Sequence, residues 1–190
     1  MSTAALSGIM PTIEPKRRNT PKTKAKIIAA AIDTFAEFGY SQAGIREIAR
    51  KADVASSLVF QHFGSKLELF EASLIAAVGY SPVLEGDRAT AGVRLAELTL
   101  ANADISLTTM MVLSIGDPEA AAVTAKVTKK YIVDQLAEWL GPPNAEARAL
   151  NLIMLMTGFT VYIRRIPVAP IQQMTVDWLA QSVQAIVDQS

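Results

Sequence analysis

The chain has 190 residues with 18 Lys/Arg, 18 Asp/Glu, one His and no Cys, enough to bury a real core as one domain or as a small domain joined to a larger one. Without cysteine there are no disulfides, thiolate metal sites or thiol nucleophiles, and one histidine makes no metal cluster, so neither metal nor cofactor is expected. The zero net charge hides an uneven distribution: up to Lys66 ten Lys/Arg stand against five Asp/Glu, about +5, and beyond it eight stand against thirteen, about −5, so the N-terminal third is the part suited to phosphate.

Residues 1–20 are polar, carry Pro11, Pro15, Lys16, Arg17 and Arg18, and lack an apolar stretch. They read as a flexible basic arm rather than an export signal, and a cytoplasmic location is expected. Thr20 and Pro21 resemble an N-cap and a first-turn proline. Ile28, Ala31, Phe35 and Phe38 then recur at three- and four-residue steps until Gly39 stops the helix. A second run, Ile45, Ile48, Ala49 and Ala52, spans two turns and meets a sharp turn at Asp53, a residue type that tolerates the left-handed conformation. The third run buries Val54, Val59 and Phe63. That leaves Ser56, Ser57, Leu58, Phe60, Gln61 and His62 on faces open to solvent or to a DNA major groove. Ser65 and Glu68 form a capping box that opens a fourth helix through Leu69, Phe70 and Leu74. Lys66 falls in its first turn, where unpaired N–H groups and the helix dipole favour an anion such as a DNA phosphate.

The segments AAAIDTFAEFGY, IREIARKADV and LVFQHFGSKLELF, between Ile27 and Phe70, resemble the DNA-binding domain of the TetR family of transcriptional regulators over roughly a quarter of the chain. The resemblance implies an all-α homodimer of about nine helices: a three-helix reader of double-stranded DNA over 21–66 and a domain over 67–190 that binds a small effector and dimerises. It places DNA contacts on Ser56, Ser57, Leu58, Phe60, Gln61 and His62, with Lys66 on phosphate and Arg46 near bases or backbone. Ala43 and Gly44 stand where the family usually has a hydroxyl, and Asp53, Ala55 and Phe60 where glycine, serine and tyrosine are common, so Ser56 is expected to take over as a cap. No GxSxG, HExxH or P-loop pattern accompanies His62, which argues for packing or phosphate contact and against an enzyme.

Downstream, Gly79, Pro82 and Gly86 mark a loop, and helices are expected over Asp87–Ala101 and Ile105–Ile115. Gly116, Asp117 and Pro118 supply a stop, an N-cap and a first-turn proline for a helix reaching Leu140, striped by Val123, Val127, Tyr131 and Trp139. After Pro142, Pro143 and Asn144 comes the most hydrophobic helix, Ala145 to about Ile166, in which Ala149–Ile163 holds only Asn151, Thr157 and Thr160 as polar side chains. It is short for a membrane span, and an apolar helix of this kind must be covered on all sides, here by a partner subunit. Pro167 and Pro170 make a turn into a last helix striped by Ile171, Met174, Trp178, Val183, Ile186 and Val187. The last two helices of each subunit are expected to pair as a four-helix bundle, with Gly158 at a close crossing. Met110, Met111, Tyr131, Trp139, Met154 and Phe159 are the expected lining of an apolar cavity for an uncharged hydrophobic effector. A ligand-independent, architectural DNA-binding protein is the alternative, and a solid core would favour it.

Overall fold

A computed structural model describes residues 20–79, 86–101 and 105–189. The basic arm before Thr20 and the loop proline Pro82 lie outside the described residues. Within them the chain is all-α. The reader region comprises α1 (Thr20–Gln42), α2 (Ile45–Lys51), α3 (Ser56–Phe63) and α4 (Lys66–Val78). A 3-10 turn (Arg88–Thr90) leads into α5 (Ala91–Ala101), followed by α6 (Ser106–Leu113). Then α7 (Pro118–Thr128) runs through a π turn (Lys129–Val133) directly into α8 (Asp134–Leu140), before α9 (Ala145–Arg164) and α10 (Gln173–Val187). Because α7 and α8 form one continuous rod, the helices among the described residues amount to nine, in agreement with the expected count.

The first core gathers Ile27, Ala31 and Phe35 of α1, Ile48 and Ala49 of α2, Val59 of α3, and Leu69, Phe70 and Leu74 of α4, joined by Met110, Ala120 and Val127 from the helices beyond. Phe35 and Phe70 meet edge to face at 5.1 Å, and Tyr40 lies 5.2 Å from Phe70, a geometry that adds to the burial of each ring. The expected α1 stripe holds at Ala31 and Phe35, and Ile27, Ala30 and Thr34 are buried as well, whereas Ile28 is half-buried and Phe38 is 46% exposed. The reason is that α1 is packed against α2, α4 and α6 together, so its buried face is wider than a single stripe. Gly39, at φ 72°, breaks the regular helix, and a Cβ there would sit 3.2 Å from the Leu113 side chain.

The second core is built from Ala91, Leu95 and Ala96 of α5, Val133, Leu140, Ala149, Leu152 and Phe159, and Leu179, Val183 and Val187 of α10. The close crossing lies between α5 and α10: a Cβ at Gly92 would fall 2.1 Å from the Ala180 carbonyl oxygen. Nothing lies within 4 Å of the corresponding point at Gly158, so within the chain the close approach belongs to Gly92. Arg148 directly precedes the apolar run Ala149–Ile163 of α9. It is buried, and its guanidinium donates to the carbonyls of Gly141, Pro143, Ile186 and Val187, gathering the otherwise unpaired C-terminal carbonyls of α8 and α10. The α10 stripe divides into two faces. Leu179, Val183 and Val187 are buried, while Ile171, Met174 and Trp178 stand exposed, as do Leu150, Met154, Tyr162, Ile166 and Val168. Among the described residues no single helix is long and apolar enough to cross a membrane.

Candidate nucleic-acid interface

The α2–α3 unit owes its sharp turn to backbone that a short sequence can specify. Ala52, Asp53 and Val54 return their N–H groups to Ile48, Arg50 and Ala49, and Asp53 takes the left-handed conformation at φ 55°, as its residue type allows. Gly44 is the N-cap of α2 and offers no side chain for a cap bond. Ala55 is the extended N-cap of α3, without a side-chain bond. Ser56 therefore does not replace the missing cap: it is already the first helical residue, one position too late to accept from the first turn.

Val59, 1% exposed, pins α3 to the core, with Val54 and Phe63 partly buried beside it. This leaves Ser57, Phe60 and Gln61 exposed and Ser56, Leu58 and His62 half-buried. Leu58, Gln61 and His62 line a surface groove together with Thr20, Thr23, Asp53, Val54 and Ala55, so the start of α1 lies alongside α3. Lys22, Lys24 and Lys26 on α1 and Arg46 on α2 are exposed. Arg50 is engaged by Glu47 at 2.6 Å, and Lys51 by Glu37 at 3.0 Å.

Lys66 stands in the first turn of α4, where Ser65 caps the helix by accepting from the Glu68 N–H at 3.1 Å. The Ser65 N–H donates to the Phe63 carbonyl at 3.0 Å, in place of the reciprocal bond that completes a capping box. The Lys66 ammonium is turned back onto the end of α1, donating to the Ser41 carbonyl at 3.3 Å and lying 4.6 Å over the Tyr40 ring. Burial pushes its pKa below the usual lysine value, and the negative charge of Asp117 partly opposes this. Burial raises the pKa of the Tyr40 phenol, with Asp117 and Glu119 adding to the effect. Lys66 thus braces α4 against α1, a role its position alone did not reveal.

A second site lies in the other half. A cavity of about 220 Å³ is walled by Val78 of α4, Leu107 and Met111 of α6, Tyr131 and Ile132 of the π turn, and Leu152, Ile153 and Met156 of α9. Thr108, Gln135, Thr157 and Thr160 are its polar groups. Of the six expected lining residues, Met111 and Tyr131 are in place and four are not. Met110 is buried in the first core, Phe159 in the second, Met154 is 57% exposed, and Trp139 lies against the Arg88 guanidinium at 5.6 Å. Tyr131, Ile132, Gln135 and Leu136 face the cavity, and Trp139, one turn further along α8, lies beyond it on Arg88. Thr157 and Thr160 were missed as lining residues although they are two of the three polar side chains in the apolar run of α9, which is the signal that marks them.

Residues 27–73 match the family described as bacterial regulatory proteins, tetR family, and residues 89–190 match the tetracyclin repressor-like C-terminal domain. The HTH-type transcriptional activator FasR of Mycolicibacterium smegmatis is 43% identical over 51 residues, 27% of this chain and 23% of its own length. The HTH-type transcriptional repressor Rv3405c of Mycobacterium tuberculosis is 44% identical over 62 residues, 30% of this chain and 33% of its own. The chain thus spans about a quarter to a third of the curated relatives it matches. The transcriptional regulator FadR of Bacillus subtilis, solved in complex with stearoyl-CoA, superposes with a TM-score of 0.61 at 15% identity, over 86% of this chain and 96% of its own, a likeness of fold.

Proposed function

We propose that this chain, which belongs to the TetR family of bacterial regulatory proteins, represses transcription in the cytoplasm as a homodimer on an inverted-repeat operator and is released by a small hydrophobic effector. The observation that carries this reading is the position of α4. Lys66 begins it beside the recognition helix, Glu71 ties its middle to Lys126 of α7 at 2.7 Å, and Val78 at its end walls the cavity. One rigid helix therefore spans from reader to cavity.

The DNA contacts are assigned to Ser56, Ser57, Leu58, Phe60, Gln61 and His62, with Arg46 and the α1 lysines on the backbone. Lys66 adds its charge at the α4 N-terminus while holding Tyr40. The exposed apolar residues of α9 and α10, Leu150, Met154, Tyr162, Met174 and Trp178, form the dimer face, and two pairs of these helices make the four-helix bundle. Paired recognition helices must reach successive major grooves about 34 Å apart, hence an inverted repeat. An apolar cavity with a few amide and hydroxyl groups suits an uncharged, weakly polar ligand. That FadR, similar in fold, was solved in complex with stearoyl-CoA supports a small-molecule ligand. A ligand that prefers a different separation of the two readers shifts the dimer population off the operator, pushing on Val78 and Tyr131. The presence of the cavity favours this over a purely architectural DNA-binding role.

The test selects duplex fragments from a genomic library, then measures operator affinity with and without a hydrophobe found by thermal-shift screening. An inverted repeat and a weaker complex with the hydrophobe are expected. Equal affinities remove the effector, and a protein that stays monomeric and retains no duplex at low ionic strength removes the whole reading.

A further inference from the structure

We infer that α3 reads thymine methyl groups and adenine edges, so that the bases it contacts in each half-site are A·T pairs. This rests on α3 being the helix that enters the major groove. Its eight residues, SSLVFQHF, hold neither Lys nor Arg, and bidentate recognition of guanine O6 and N7 is made by those two residue types. Among the cations of α2 and α4, exposed Arg46 is assigned to the DNA backbone, and the other three are engaged within the chain. Arg50 is held by both carboxylate oxygens of Glu47, Lys51 by Glu37, and Lys66 lies over Tyr40.

What α3 does present is apolar and amide surface. Phe60 is 48% exposed although its neighbour Val59 is fully packed. In the major groove the thymine C5-methyl is the apolar partner available to such a ring, and contact removes both from water. Gln61, exposed next to it, carries one carbonyl and one amino group, matching the adenine N6 donor and N7 acceptor. Ser56, Ser57 and the half-buried His62 can donate to or accept from either base pair and leave the bias to Phe60 and Gln61.

Selection from a random duplex library tests it. Recovered half-sites with A·T pairs at the contacted positions are expected. If no duplex is retained, the DNA-binding reading itself fails, whereas retained duplex with G·C pairs at those positions overturns this inference alone. The second measurement replaces single thymines by deoxyuridine, which deletes only the methyl group. One such replacement is expected to weaken the wild type about fourfold and to leave Phe60→Ala unchanged. Likewise 7-deazaadenine, lacking N7, weakens the wild type about fivefold and leaves Gln61→Ala unchanged. Both losses should be the same at about 50 and 200 mM salt, because no counterions are released. Both side chains are exposed, so circular dichroism should show both variants folded. If deoxyuridine weakens wild type and Phe60→Ala equally, or weakens neither, α3 does not read the methyl and the inference falls.

Discussion

The two cores of this chain are held together by different means. In the first, apolar and aromatic side chains interlock, and the buried hydroxyls of α1 and α4 are satisfied one turn away: Thr34 donates to the Ala30 carbonyl and Ser73 to that of Leu69, both at 2.7 Å, while Arg165 at the end of α9 adds a tie to Thr109 and the Ala36 carbonyl. In the second, polar side chains reach far along the sequence. Gln184 accepts from the Gly92 N–H at 2.9 Å and donates to the Arg88 carbonyl at 3.0 Å, while Arg148 takes up the carbonyls at the end of α10. Local satisfaction lets the reader form as a preorganised unit. Long-range clamps fix helix ends and crossings in the other half and leave its middle able to hold a cavity.

The strongest attack on this contrast is Phe35→Ala. Removing a fully buried ring should cost about 3–5 kcal/mol and abolish DNA binding. Both tryptophans, Trp139 and Trp178, lie in the other half, so their fluorescence should stay native while helical signal is lost. Simultaneous loss of both signals would merge the two cores into one cooperative unit. Next comes Gly92→Ala, which drives a methyl into the Ala180 carbonyl and should cost about 3 kcal/mol. Here the tryptophan transition is expected to move to lower denaturant, and an unchanged midpoint would mean that the crossing adjusts freely.

Arg148→Met keeps most of the buried volume but deserts four carbonyls, for a loss of about 2 kcal/mol, again read by tryptophan and not by reduced DNA affinity of the folded protein. The smallest effect is expected from Asp53→Asn. Asparagine accepts the same left-handed backbone, so melting should be unchanged, while removal of a negative charge from the groove beside Gln61 and His62 should tighten DNA about two- to threefold at low salt, by charge effects of the kind that salt screens. Weaker binding of this variant would assign the Asp53 carboxylate a positive role in base reading.

The reader was legible because its signals are local. Gly39, Asp53 and Ser65 mark their own breaks and caps, and Val59 follows from a short apolar spacing. Its surprises are long-range: Lys66 finds Tyr40 and Ser41 across 25 residues, and Ala55, not Ser56, occupies the cap. In the other half, prolines and glycines gave the helix ends around Pro118 and Asn144. The cavity was hardly legible, since its walls come from α4, α6, the π turn and α9 together, and Trp139 lies one turn past the stretch of α8 that reaches it. The Gly92–Ala180 contact likewise joins residues whose proximity no local pattern announces.

That contact has a mechanical corollary. Rods that touch main chain to main chain have no side-chain cushion to compress, so α5 and α10 form a fixed strut alongside the exposed face proposed to pair the subunits. Under the proposed release by an effector, expansion of the cavity would be delivered to the opposite wall, where Val78 and Met111 sit on α4 and α6, which pack against α1.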